Sequence, residues 1–245
     1  MTQDLDRAID VDGLYNMRDS GGLRAGDARI RSRKLLRSDG LHHLTDTGLK
    51  TLSQLGIKTI FDLRDNKERA AAPNKIQGLS VATVPSPIFQ GSEEVLTGPN
   101  MRIEDFYRDM VDNYAVSYAS TLTAIADTGD DTVLVHCTAG KDRTGTLIAF
   151  ALTVAGVDRD DIVHDYSLTE KNLEGEWLDR HVRLVESFGI PVTPNLLKIL
   201  GGSPPEAMES TLLHVEKRFG SVESYLRSAG MSDADLERLV SVLVG

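Results

Sequence analysis

VHCTAGKDRTG, residues 135 to 145, is preceded by DTVLV (131–135) and followed by the apolar run TGTLIAFALTVAG (144–156). The first flank is short and β-branched, the pattern of a buried strand; the second has the length and glycine terminus of a buried helix ending at Gly156. Cys137, the single cysteine of the 245-residue chain, therefore lies between a strand and a helix. In a parallel α/β sheet that junction is the carboxyl edge, where ligands bind, and the helix start adds unpaired amides and the positive end of its dipole. Such surroundings suit anions. They also favour a thiolate, since thiols at helix N-termini or beside cations fall from about 8.5 to roughly 3.5–7.5. Gly140 and Gly145 permit tight curvature, so that the amides of residues 138–143 can face a tetrahedral oxyanion, while Arg143 can clamp two of its oxygens bidentately.

Working outward, strands and helices alternate. Thr45 is an N-cap candidate before Leu49, Leu52 and Leu55, with Gly56 as terminator; IKTIFDL (57–63) reads as a buried strand and LSVATV (79–84) as another, closed by Pro85 and Pro87. From about Met101 to Asp127, Phe106, Met110, Tyr114, Tyr118 and Leu122 recur four residues apart, predicting one helix with an apolar face. Residues 158–245 read as mainly helical. This order predicts an α/β fold, a central mostly parallel sheet flanked by helices. No Pro/Gly/Ser-rich linker divides the chain, so a single domain over 1–245 is expected.

Composition narrows the function. The content is 40% hydrophobic and 26% charged, that of an ordinary globular protein, and the net charge of -10 argues against a nucleic-acid partner. No apolar stretch has the length of a membrane span, and the acidic start MTQDLDRAIDVDG has no signal-peptide core. One cysteine cannot form an internal disulfide, which makes a cytoplasmic location the default, with signal-less export left open. No His/Asp cluster has metal-ligand spacing, so neither metal nor cofactor is expected.

His136-Cys137-Thr138-Ala139-Gly140-Lys141-Asp142-Arg143-Thr144 resembles the Cys-x5-Arg loop of cysteine-dependent phosphatases, and AGKDRTG more narrowly that of the atypical bacterial tyrosine phosphatases, related to dual protein/phosphoinositide phosphatases. GLYNMRDSGGL (13–23), TIFDLRDNKE (59–68) and GSVESYLRSAGMSDADLERL (220–239) also look like that family. The resemblance implies a tyrosine-phosphatase-like fold, a cysteinyl-phosphate intermediate and no metal. It nominates Cys137 as nucleophile, Thr138, Ala139, Gly140, Lys141, Asp142 and Arg143 as phosphate binders, and Asp142 as general acid. His136 would orient the loop, and the Thr144 hydroxyl would donate to the cysteine sulfur. A general acid must carry a proton when it acts, a state that a bound dianionic phosphate favours.

Competing readings exist. A cysteine after an apolar strand is commonly a small buried hydrophobe, but here Gly140, Arg143 and Thr144 stand in register with it. A nucleotide P-loop would need glycine at Val135 and Ser or Thr at Asp142. A reductase would need a second cysteine; a sulfur transferase or a non-catalytic phosphate-binding module stays open. Asp62, ending the IKTIFDL strand, is a second acid candidate, or else a structural partner of Arg64. Trp177, followed by Leu178 and Asp179, reads as a core residue rather than part of an acid loop. The expected activity is that of a protein-tyrosine phosphatase, with a phosphoinositide or dual/triple-specificity phosphatase as the alternative, so the partner is a phosphorylated protein or a phosphoinositide. Lys141 and the cations of RIRSRKLLR (29–37), whose Arg29, Arg31 and Arg33 would share one face if on a strand, suit the lipid, or else belong to a solvated edge strand kept apart by charge; Tyr15, Phe89, Phe106 and Tyr107 could wall a phosphotyrosine pocket.

Overall fold

In the five-stranded sheet the carboxyl ends of three neighbouring strands finish level with one another. The computed structural model describes residues 7–89 and 102–245; Met101 and the acidic Met1–Asp6 lie outside them. The sheet order is β1 (Arg18–Asp19), β4 (Leu35–Ser38), β7 (Thr132–His136), β5 (Ile57–Asp62), β6 (Ala82–Pro85). β4, β7, β5 and β6 run parallel, and β1 pairs antiparallel on the edge, so the sheet is mostly parallel. β2 (Arg24–Ala25) and β3 (Ala28–Arg29) form a separate small hairpin. Val133, Leu134 and Val135 are buried, as befits a strand with neighbours on both edges and layers on both faces. The register aligns Ser38 and Asp62 with His136, so the loop that begins at Cys137 emerges between β4 and β5.

The helix after that loop, Asp142–Val154, is buried nearly all round, from Arg143 to Leu152. Its uniform apolarity follows from its position, since a helix enclosed on every side has no need of a polar face. Helices Ala115–Ala126, Arg159–Leu173, Val222–Ser228 and Asp233–Leu243 pack against it, Ile103–Asn113 and Pro205–Phe219 pack on each other, and Glu176–Ser187 and Pro194–Leu200 form a further pair. One hydrophobic cluster joins Leu35 and Val133 of the sheet to Leu212, Tyr225 and Leu239 of the last helices. A second lies on the other face, around Leu36, Ile60 and Leu134. Thr45 caps its helix through Gly48 N–H, and Gly56 takes the left-handed conformation just beyond it. No helix among the described residues is long and apolar enough to cross a membrane.

Three local expectations are corrected. The helix expected from 101 to 127 breaks at Tyr114, whose φ of -120° and ψ of 24° leave the helical region. Its ring packs against Phe89 at 5.6 Å. The apolar spacing continues through the break, so periodicity alone gives no sign of it. Pro85 ends β6 from within rather than closing it from outside, which an edge strand tolerates. Residues 29–37 do not form one strand: Arg33 sits at φ 59° in a turn, Arg29 donates to the Gly22 carbonyl and Arg31 pairs with Asp130. The arginines therefore do not line one strand face.

Candidate active site

The loop from Cys137 to Lys141 is anchored through its carbonyls. His136 Nδ1–H donates to the carbonyl of Cys137 at 3.1 Å, and Gly40 N–H to that of Thr138 at 2.9 Å. The Asn16 side-chain amide reaches the carbonyls of Ala139 and Gly140 at 2.9 and 3.2 Å; Arg37 adds a bond to Gly140 at 2.8 Å. Among the described residues the amides of Thr138, Ala139, Gly140 and Lys141 have no acceptor. Peptide geometry sets N–H opposite C=O, so tying the carbonyls back turns the amides outward, which makes an anion nest. Gly140 is required twice over: its φ is +65°, and a Cβ there would stand 2.4 Å from the Ser38 carbonyl oxygen.

The groups holding this loop come from distant segments. Asn16 is itself fixed: its Oδ1 accepts from Arg18 and from Asn172 Nδ2 (3.0 Å), and its backbone N–H donates to Asp39 Oδ1 at 3.0 Å. Arg37 makes a buried ion pair with Asp165 at 2.6 Å, and Arg7 and Arg18 converge on the same carboxylate. Burial works against ionisation of Asp165, but the charges of Arg18, Arg37 and Arg7 overcome it and hold the carboxyl well below the usual range. His136 is buried, which pushes it down to about 4; with Nδ1 donating, Nε2 accepts from Asn74 at 3.2 Å. It is thus a neutral hydrogen-bonding strut.

Arg143 meets Glu68 as a two-pronged pair, Nη1 to Oε2 at 2.6 Å and Nη2 to Oε1 at 2.8 Å, and Glu68 also accepts from the Thr138 hydroxyl at 2.8 Å. Burial tends to lower Arg143, but the Glu68 hydrogen bonds and then the Cys137 charge raise it above its ordinary value. Glu68 is in addition the N3 residue of a capping box with Asp65, at the start of helix Asn66–Ala71. A single carboxylate therefore ties the Arg143 fork to a helix end, beside the loop. Cys137 is buried at the base.

Asp142 opens the helix, and its Oδ1 accepts from the Tyr107 hydroxyl at 2.8 Å. The Thr144 hydroxyl, expected to donate to the cysteine sulfur, is buried without a partner among the described residues, the Cys137 sulfur included. Lys141 does not present a second cation to solvent: fully buried, its ammonium donates to the carbonyls of Ile199 and Leu200 at the end of helix Pro194–Leu200. Helix carboxyl ends attract cations, which accounts for the choice. Asp62 is not free for acid work either. Arg64 binds both its oxygens, at 2.9 and 2.7 Å, and Asn74 shares Oδ2 at 3.1 Å. Trp177 is buried against Ala139 and Leu173 and stacks on His181, while Asp179 is exposed. Of the aromatic candidates, Phe89 and Phe106 pack edge to face at 5.2 Å, Tyr107 is fully buried, and Tyr15 is half-buried beside Arg180.

The sequence profile of the tyrosine phosphatase family matches residues 9–245. The chain belongs to that family. It is a cysteine-dependent phosphatase. Its similar relatives include the triple specificity protein phosphatase PtpB of Mycobacterium tuberculosis, 26% identical over 275 residues, covering 96% of this chain and 99% of the relative. A tyrosine-protein phosphatase of Nostoc commune is 28% identical over 211 residues, covering 83% and 72%. Among solved structures it is similar to the catalytic domain of the PP-IP phosphatase SIW14 from S. cerevisiae, at 16% identity with a TM-score of 0.40, covering 74% of this chain and 96% of that one. P. aeruginosa TpbA matches at 16% identity and a TM-score of 0.35, covering 87% and 88%.

For this phosphatase the supporting residues Asn16, Arg37, Glu68, Tyr107, Tyr166 and Asp165 went unassigned by sequence reasoning, apart from Tyr107 as a possible pocket wall. Only Glu68 carried a local signal, the Asp65-x-x-Glu68 capping pattern. Glu68→Gln is expected to leave Arg143 with freedom in its fork. The loss is that of a charge-assisted hydrogen bond, ~1.5–3 kcal/mol. Titration with inorganic phosphate should show affinity about tenfold weaker, whatever substrate is assayed; tighter binding would mean that the Glu68 charge, not its placement of Arg143, dominates.

Asp39 gives a pH prediction. Burial raises it to about 6, opposed by the amides of Asn16 and Tyr15. Because its native value lies above the unfolded 3.8, the native state holds the proton more tightly, and stability falls as pH rises between these values. Asp39→Asn, which keeps the acceptor oxygen, should therefore stabilise the protein at pH 7 by about 2–3 kcal/mol and give no gain below about pH 4. Urea unfolding at the two pH values measures this, and an equal effect at both would refute it.

Proposed function

We propose that the protein hydrolyses phosphotyrosine in proteins by way of a phosphoryl group carried on Cys137. The supporting observation is the anchored loop: carbonyls 137–140 are tied back, leaving the amides of Thr138 to Lys141, the residues that follow Cys137, without acceptors among the described residues. In the first step the thiolate attacks phosphorus in line, the S–P bond forms as the bond to the leaving oxygen breaks, and Asp142 gives that oxygen a proton. The loop amides and Arg143 hold the equatorial oxygens. In the second step water attacks phosphorus, Asp142 takes back a proton, and the S–P bond breaks to return thiolate and inorganic phosphate. Thr144, whose buried hydroxyl has no partner among the described residues, is free to turn its hydrogen toward the departing sulfur.

The tyrosine reading is preferred over the phosphoinositide one because the Lys141 ammonium is withdrawn to the carbonyls of Ile199 and Leu200, and the arginines of 29–33 do not share a face. The names of the Nostoc and Mycobacterium relatives support tyrosine and broader specificity respectively. Phosphate release is to be compared in parallel on phosphotyrosine peptides, phosphoserine peptides and short-chain phosphoinositides. Phosphotyrosine should give the highest kcat/KM, and a dominant lipid signal would overturn the preference.

A further inference from the structure

We propose that Tyr107, supported by Tyr166, is a positioning residue that reserves one oxygen of Asp142 and leaves the other to carry the transferable proton. The proposal rests on the reading of Asp142 as the acid. Tyr107 and Tyr166 are both buried, yet their hydroxyls lie 2.7 Å apart and Tyr107 reaches Asp142 Oδ1 at 2.8 Å. A phenol has one hydrogen. Since Tyr107 gives its hydrogen to the carboxyl, Tyr166 must donate to Tyr107, and the chain runs one way: Tyr166, Tyr107, Asp142. Burial foremost, then the nearby Asp142 charge, raise both phenols well above their ordinary value. Both keep their protons through the cycle.

The consequence for Asp142 is geometrical. Its Oδ1 is occupied by Tyr107, with the Lys141 ammonium 3.4 Å away, so a proton placed on that oxygen would displace the tyrosine donor. The proton to be transferred therefore sits on Oδ2, and the carboxyl plane is held by the buried tyrosine pair. Tyr166 belongs to helix Arg159–Leu173 and lies over Gly145, where even a Cβ would come within 3.1 Å of its ring. The adjoining Asp165 on that helix holds Arg37 and, through it, the loop carbonyl of Gly140. Consecutive residues of one helix thus serve the acid and the phosphate cradle.

The test compares Tyr107→Phe, Tyr166→Phe, Asp142→Asn and the double variant Tyr107→Phe/Asp142→Asn on an activated nitrophenyl phosphate and on an alkyl phosphate, with inorganic phosphate affinity measured for each. Tyr107→Phe should lower kcat on the alkyl ester by roughly 10- to 100-fold, the worth of a hydrogen bond to a charged group, and on the nitrophenyl ester by less than about threefold, with phosphate affinity kept. Tyr166→Phe should show the same pattern more weakly. The double variant should be no worse than Asp142→Asn alone. Equal losses on both esters in Tyr107→Phe, or additive losses in the double variant, would overturn this proposal while a leaving-group-dependent Asp142→Asn left the acid reading intact. An Asp142→Asn variant that loses equally on both esters would overturn both. Should Tyr107→Phe fail to fold, shown by lost phosphate affinity, Tyr166→Phe decides by the same criterion.

Discussion

Cys137→Ser is expected to abolish turnover, by roughly 10³-fold or more, while inorganic phosphate still binds. The proposed nucleophile and its proposed cradle are separate parts of one loop. The cradle's anchors, Asn16, Arg37 and Gly40, hold carbonyls and do not depend on the sulfur. The pairing of Arg143 with Glu68 is likewise independent of it. A serine hydroxyl would need a general base in the first step, when Asp142 is the protonated acid of the proposed cycle. His136 has Nδ1 committed to the Cys137 carbonyl and Nε2 to Asn74. Asp62, next along the sheet edge, is held by Arg64. Steady-state assays and phosphate titration of the same preparation measure both halves. Residual turnover above about a thousandth of wild type, or loss of phosphate binding along with turnover, would count against the assignment. A sulfur transferase would instead yield a persulfide on Cys137 from thiosulfate.

The second large effect is that of Asp142→Asn. If Asp142 protonates the leaving oxygen, its loss should cost ~10²–10⁴-fold on an alkyl or inositol phosphate, the usual contribution of general acid catalysis, and much less where an activated phenolate departs unaided. The structure supplies the reason for expecting a clean result. Asp142 heads the helix that follows the loop, its carboxyl is partly open, and Asn can keep the bond from Tyr107 through its own Oδ1. The substitution therefore removes a proton without removing a strut. A scaffold role predicts similar losses on every substrate together with weaker phosphate binding.

The sequence was most readable where chemistry is contiguous. Cys137, Gly140 and Arg143 lie within one strand–loop–helix junction, and a parallel sheet brings that junction to its carboxyl edge without further information. What it could not supply is long-range pairing: Arg37 meets Asp165 across 128 positions, Arg143 meets Glu68 across 75, and Tyr107 meets Asp142 across 35. None of these pairs leaves a periodic or local trace. The composition of a loop also does not tell where its side chains go. Lys141 lies in the loop, yet its ammonium is drawn to a helix end. The break at Tyr114 was hidden for the opposite reason, because the four-residue apolar spacing passes through it unchanged.

The central claim, that Cys137 carries the phosphoryl group, is tested most directly by acid-quenching the enzyme during turnover of an aryl phosphate and mapping phosphorylation by mass spectrometry. Asp142→Asn should be used beside wild type, since removing the group proposed to take a proton from the attacking water would lengthen the life of the intermediate. A single phosphoryl group is expected on the peptide containing Cys137, more abundant in Asp142→Asn and absent in Cys137→Ser. Turnover with no phosphorylated cysteine at any quench time, or with the phosphoryl group on a different residue, would contradict it.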